Sequence, residues 1–169
     1  MLSTVYLALG SNLGDREQNL VKAISLISDM EGFETIALSP IFISEAVDMD
    51  EDAPTFFNMV IKGDYRYRPS ELLDNMEAIE RQLGRTDKGM CQPRTIDIDL
   101  LLFGEEIIET ERLTVPHRKM LDRPFVLAPL MEIAPEAVHP VTGNLIQSYY
   151  NDEESDKLVI YKECARQHV

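Results

Sequence analysis

Apolar residues recur along this chain with two periods, and the switches between them mark out its elements. Val5 to Leu9 is a short apolar run of the kind a buried strand shows. Gly10-Ser11-Asn12-Leu13-Gly14 follows as a loop, both glycines being expected to serve turns. Asp15 and Gln18 have the spacing of a capping box, and Leu20, Ala23, Ile24 and Ile27 then share one helix face. Phe33 to Val47 is rich in β-formers and broken by Pro40, which predicts one strand with an edge or kinked start. Residues 45–54 are acidic and turn-prone, and Phe56 to Lys62 predicts the next strand. Pro69 suits a first helical turn, Leu72, Met76, Ile79 and Leu83 carry the apolar face, and Gly84 is the expected C-cap.

A loop at 85–92 then leads into Pro93-Arg94-Thr95-Ile96-Asp97-Ile98-Asp99-Leu100-Leu101-Leu102-Phe103, which alternates at first and then turns fully apolar. The order strand, helix, strand, strand, helix, strand is that of an α+β, ferredoxin-like βαββαβ sandwich, an antiparallel sheet with helices packed on it. If each element reverses direction, loops 10–15, 44–55 and 85–95 emerge at one end, together with Asn58 and Asp97. Beyond Gly104 the pattern predicts a short edge strand at Ile107-Ile108, a turn at Leu113 to His117 and a short helix over Phe125 to Leu130. A helical turn at Asn144 to Tyr150, an extra edge strand at Leu158 to Lys162 and a frayed tail complete a C-terminal extension. Residues 1–169 are expected to form a single domain.

The strand at 93–103 carries the chemistry. With a side-chain period of two, Asp97 and Asp99 leave one face while Ile96, Ile98 and Leu100 leave the other. Bare carboxylates with Cα atoms roughly 6.5 Å apart repel each other, and a divalent cation held by such hard oxygens removes the conflict. Leu101 and Phe103 are expected to continue the acid face into the interior, where acids need partners. The alternative is the polar half of an ordinary surface alternation. Arg94, just upstream, is a permanently charged fork suited to phosphate. The combination points to a polyphosphate handled with magnesium, although no Gly-Lys-Ser or Gly-Lys-Thr phosphate loop occurs.

Composition narrows the setting. A formal net charge of −14 disfavours sequence-independent nucleic-acid binding. Yet 8 of the 16 Lys and Arg fall between Arg81 and Arg123, enough to hold a small anion. No apolar run approaches the roughly 20 residues that span a membrane, and the N-terminus has no basic lead to a signal peptide. Cys91 and Cys164 form no metal or disulfide pattern, so a reducing cytoplasm is the expected location.

Pro93-Arg94-Thr95-Ile96-Asp97-Ile98-Asp99-Leu100-Leu101-Leu102-Phe103-Gly104 resembles the signature of the 6-hydroxymethyl-7,8-dihydropterin pyrophosphokinases of folate biosynthesis. The likeness extends in order to Leu7-Ala8-Leu9-Gly10-Ser11-Asn12-Leu13-Gly14-Asp15, Phe56-Phe57-Asn58, Gln82-Leu83-Gly84-Arg85, Arg112-Leu113-Thr114-Val115-Pro116-His117 and Arg123-Pro124-Phe125-Val126-Leu127-Ala128-Pro129-Leu130. The resemblance implies transfer of pyrophosphate from ATP to the hydroxymethyl group of the dihydropterin, releasing AMP. It implies Asp97 and Asp99 as ligands of two Mg²⁺ ions, and Arg85 and Arg94 as catalytic and nucleotide-binding cations. Phe56, Asn58 and Phe125 would hold the pterin; Glu77, Glu80, Arg112, His117 and Arg123 would serve the nucleotide.

On the residues alone, Phe56 and Phe125 read as core, His117 as a surface histidine, and Glu77 and Glu80 as solvated helix positions. Departures from the family pattern are Cys91-Gln92 in place of a Trp-Gly-like pair, a shorter and less basic loop at 85–90, and Ser44-Glu45-Ala46-Val47 in place of a Thr-Pro-Pro-like run. A monofunctional, monomeric enzyme acting on small molecules, with no membrane or nucleic-acid partner, is the leading expectation. A noncatalytic binding module and a phosphotransferase for another planar alcohol are the other two readings.

Overall fold

The computed structural model describes residues 2–44, 55–84, 95–150 and 158–162. Its elements are β1 (Ser3–Ser11), α1 (Arg16–Ser28), β2 (Phe33–Leu38), β3 (Ile41–Ser44), β4 (Phe56–Tyr65), α2 (Pro69–Gln82) and β5 (Asp97–Phe103). Then come β6 (Ile108–Glu109), β7 (Thr114–Val115), α3 (Pro124–Ile133) and β8 (Val159–Lys162), with short 3-10 turns at Met120–Asp122 and Ile146–Tyr149. The main sheet runs β5-β1-β4-β3-β8, with β2 also paired to β4, and every described pairing in it is antiparallel.

Each sheet face has its own core. Val5, Leu7, Leu9, Met59, Ile61, Ile96, Ile98 and Leu100 meet Leu20, Ala23 and Ile27 of α1 and Leu72, Met76 and Ile79 of α2. On the opposite face Tyr6, Val60, Leu101 and Leu102 meet Val126, Leu127 and Leu130 of α3, with Met120 and Ile146 from the 3-10 turns. Leu20, Ile27, Leu72 and Met76 are 0 % exposed, and full burial of such a side chain contributes about 1.5–3 kcal/mol. Both long helices start where local chemistry favours it. The Asp15 carboxylate accepts the Gln18 amide at 3.1 Å, and Pro69 opens α2, where Glu71 accepts the Arg68 amide at 2.9 Å. Gly84 ends α2 in the left-handed region, with φ +98.

Four expectations are corrected. Phe33 to Val47 is not one strand: β2 and β3 are separated at Ser39-Pro40, where proline has no amide to give the ladder. Ser39 keeps the junction on β4, its amide donating to the Val60 carbonyl at 3.0 Å and its hydroxyl accepting the Val60 amide at 2.8 Å. Gly10 is no turn residue but lies inside β1, paired to Asn58; Gly14, with φ +70, makes the turn. Ile108 is off the main sheet, in a hairpin with β7. Phe103 does not continue the aspartate face. The β1–β5 register slips between Tyr6 and Leu7, so Leu101 and Leu102 both join the α3-side core and Phe103 returns to the other.

One buried histidine links the C-terminal extension to pH. His139 is 7 % exposed, and its Nδ1 accepts the amides of Val141 and Thr142 at 3.3 and 3.4 Å. Burial lowers its pKa from the usual 6.5, since the charged ring is poorly solvated there. Its stabilising contribution is therefore complete above pH 6.5 and is lost as pH falls from there through the folded-state pKa. Thermal melts at stepped pH are expected to show stability falling across that window, and His139→Asn to flatten that part of the curve. Equal slopes for the two proteins would refute the assignment.

Candidate active site

The end of β1 and the beginnings of β4 and β5 meet at one edge of the fold, and register aligns their side chains. Gly10 is partnered by Asp97 on one side and by Asn58 on the other. The next row along is Asp99, Ala8 and Val60. Strand spacing of about 4.8 Å puts the Asp97 and Asn58 backbones roughly 10 Å apart, with only a glycine between them. A Cβ on Gly10 would lie 3.5 Å from Asn58 Oδ1 and 3.5 Å from the Phe56 ring. The missing side chain leaves a buried glycine floor with an acid at one end, an amide at the other and a phenyl ring beside it.

Asn58 is held in one orientation. It is 6 % exposed, and its Nδ2 donates to Ser44 Oγ at 2.7 Å, with longer contacts to the Phe42 and Phe56 carbonyls at 3.5 and 3.4 Å. Three acceptors around the nitrogen assign the amide and turn Oδ1 towards the Gly10 floor. Arg16 secures the start of β4, donating to Thr55 O and Thr55 Oγ1, each at 2.7 Å, with its guanidinium over the Phe57 ring. Phe125, in the first turn of α3, is half-buried against the core on the Asn58 side of the sheet, and Arg123 lies 5.6 Å from its ring centroid.

Beside the outer edge of β5, a cleft of about 240 Å³ opens between α2 and the β6–β7 hairpin. Glu77, Asp99, Arg112 and His117 line it, over an apolar base that includes Leu73 and Leu113. The His117 amide donates to the Leu101 carbonyl at 2.9 Å, tying this turn to β5. Its Nδ1 accepts the Lys119 amide at 3.2 Å, so the ring proton sits on Nε2, 4.0 Å from Asp99 Oδ1. Arg112 hydrogen-bonds Asp74 and, at 3.1 Å, Glu77, and these contacts push its pKa further up. The pairs are exposed, and exposed pairs of this kind are weak enough to open for a stronger anion.

Glu80 differs from the solvated residue that its helix position suggests. It is 3 % exposed, and its carboxylate accepts the Ile98 amide at 2.9 Å. Arg85 and Arg94 lie outside the described residues, as do the rest of 85–94, residues 45–54 and the residues after 162. Among the described residues no group of three or more His, Cys, Asp or Glu gathers as a metal cage. No helix among them is long and apolar enough to cross a membrane.

Residues 6–135 match the family model for 7,8-dihydro-6-hydroxymethylpterin-pyrophosphokinase, HPPK. The chain belongs to this family. It is 42% identical over 143 residues to the 2-amino-4-hydroxy-6-hydroxymethyldihydropteridine pyrophosphokinase of Bacillus subtilis, covering 85% of either chain. It is 41% identical over 149 residues to the folic acid synthesis protein fol1 of Pneumocystis carinii, covering 86% of this chain but only 20% of that protein. The chain thus spans about a fifth of the fungal relative and most of the bacterial one. A crystal structure of Plasmodium falciparum HPPK-DHPS with pteroate superposes with a TM-score of 0.70 at 14% identity, covering 90% of this chain and 44% of that one.

The HPPK match spans every strand and helix from β1 to α3 except for the first residues of β1, and it includes both the Asp97–Gly10–Asn58 row and the cleft. Nothing in the sequence alone marks Ser44 or Arg16 as part of the site. Ser44 meets Asn58 across a strand pair 14 residues apart, and Arg16 meets Thr55 across 39, separations that no local pattern announces.

Proposed function

We propose that this protein transfers pyrophosphate from ATP to the hydroxymethyl group of 6-hydroxymethyl-7,8-dihydropterin in folate biosynthesis. The observation that carries the reading is the row of Asp97, Gly10 and Asn58 across three strands of a family member. The substrate hydroxyl oxygen bonds to the β-phosphorus of ATP, the bond from that phosphorus to the α–β bridging oxygen breaks, the hydroxyl proton is released, and AMP leaves.

Asn58 and the Gly10 floor suit a flat heterocycle with hydrogen-bonding edges, and Phe56 and Phe125 supply rings on the same side of the sheet. The nucleotide is assigned to the cleft of Glu77, Arg112 and His117, with Arg123 nearby in sequence and Arg85 and Arg94 supplying charge. Asp97 and Asp99, hard oxygen donors on one side of β5 and both partly open to solvent, fit Mg²⁺, two ions being expected. Bound there, the metal neutralises phosphate oxygens and favours the attacking hydroxyl. His117 Nε2 lies 4.0 Å from Asp99 Oδ1, on the cleft side of that carboxylate. The strand order β5-β1-β4 followed by the β2/β3 pair is read as the ferredoxin-like arrangement, in one domain that works as a cytoplasmic monomer.

Incubation with ATP, Mg²⁺ and the pterin tests this: one AMP per pterin consumed is expected. ADP in place of AMP, or binding without turnover, would defeat the reading. The floor makes a separate prediction. Gly10→Ala is expected to keep near-wild-type KM, because its Cβ meets neighbours only at ordinary contact distance. Gly10→Val fills the floor and is expected to raise the pterin KM at least about tenfold, roughly 1.4 kcal/mol, with the ATP KM little changed. An equal rise in both constants would contradict the floor's role.

A further inference from the structure

Resting on the reading of Asp97 and Asp99 as the catalytic acids, we infer that Glu80 is a positioning residue that sets the aspartate pair by holding the backbone between them. Among the described residues β5 is the outermost strand on its side of the sheet, and β1 is the strand that supplies it with a ladder. Amides alternate along a strand, and those pointing away from β1 need another partner. Ile98, between the two aspartates, is such a residue: its amide goes to the Glu80 carboxylate at 2.9 Å across 18 residues of chain. Glu80 is 3 % exposed and Ile98 is 0 % exposed, so the bond is shielded from water and charge-assisted. It stands in for a missing neighbour strand at the one residue whose displacement moves both acids together.

The bond also couples α2 to the site. α2 carries Glu77 and Asp74, which hold Arg112, while Glu80, one turn on from Glu77, holds β5. The sequence resemblance implies a nucleotide role for Glu80; in the fold its carboxylate accepts a main-chain amide in the interior, between the two metal-competent acids.

Reach and charge separate the two roles. Glu80→Gln keeps an oxygen at the same reach, whereas Glu80→Asp keeps the charge but withdraws it by one C–C bond, roughly 1.5 Å. We expect E80Q to stay within about threefold of wild type and E80D to lose about 100-fold in kcat, the cost of ångström-scale misplacement, with the pterin KM within about twofold. Hydrogen exchange at the Ile98 amide should be faster in E80D and slow in E80Q and wild type. Mg²⁺-dependent binding of a non-hydrolysable ATP analogue should weaken in E80D alone. The reverse ranking, equal loss in both variants, or no loss in either overturns the inference. If E80D does not fold, E80Q decides: near-wild-type kcat sustains the role and a 100-fold drop ends it. A wild type that releases no AMP defeats the proposed reaction, and Ile98 exchange rates equal across the three proteins defeat the role of Glu80.

Discussion

Asp97→Ala is expected to lower kcat about 10³-fold, equivalent to about 4 kcal/mol of transition-state stabilisation, while the protein stays folded. Asp97 is the acid in register with Gly10 and Asn58, so it is the one nearest the floor assigned to the pterin. Its side chain is only half-buried and its β-carbon survives in the variant, so little packing is lost. AMP release measured beside a thermal melt checks both halves. Activity within tenfold of wild type would remove the metal-binding reading of the strand.

The second large effect is on stability. Gly63→Ala is expected to destabilise the fold by about 3 kcal/mol, as overpacking of a core does, and to lower the melting temperature by about 6–12 °C for a domain of this size. Gly63 sits mid-strand in β4, paired to Val5 on β1 and Thr35 on β2. The Phe33 ring lies across it, so a new Cβ would come within 2.3 Å of Phe33 Cζ and 2.7 Å of Cε1. Phe33 is 7 % exposed and packs near Tyr65, so it has little room to retreat. A melting temperature within 2 °C of wild type, by about 0.5–1 kcal/mol on the same scale, would show that the ring moves aside freely.

Much of this architecture is legible in the chain because it is written in local chemistry. Asp15 and Pro69 announce the helix starts, Gly84 announces an end, and the alternation at 96–100 assigns Asp97 and Asp99 to one face. What stayed hidden depends on pairing across the sheet. The register slip at Tyr6/Leu7 that sends Phe103 to the opposite core has no sequence signature. Gly10 is read as a turn glycine from its neighbours, although β1 runs on through it to Ser11 because β4 and β5 flank it on both sides.

The site divides the same way. Aspartates on a strand declare themselves by type and spacing, whereas Glu80 has the helical spacing of a solvated acid and is buried only because β5 passes against α2. Ser44 and Asn58 lie on successive strands, and it is the register of that pair that brings their side chains together. Arg112 and His117 come into the same cleft as Glu77 because the β6–β7 hairpin folds back over the edge of β5.

On the proposed reading, one strand presents two acids to a cation at the phosphates of a nucleotide. Crystals grown with Mn²⁺ and a non-hydrolysable ATP analogue test it directly through the anomalous signal of the metal. Peaks are expected within coordination distance of both the Asp97 and Asp99 carboxylates, on the side of Arg112 and His117. Manganese bound to the nucleotide alone, with neither aspartate in contact, would contradict it.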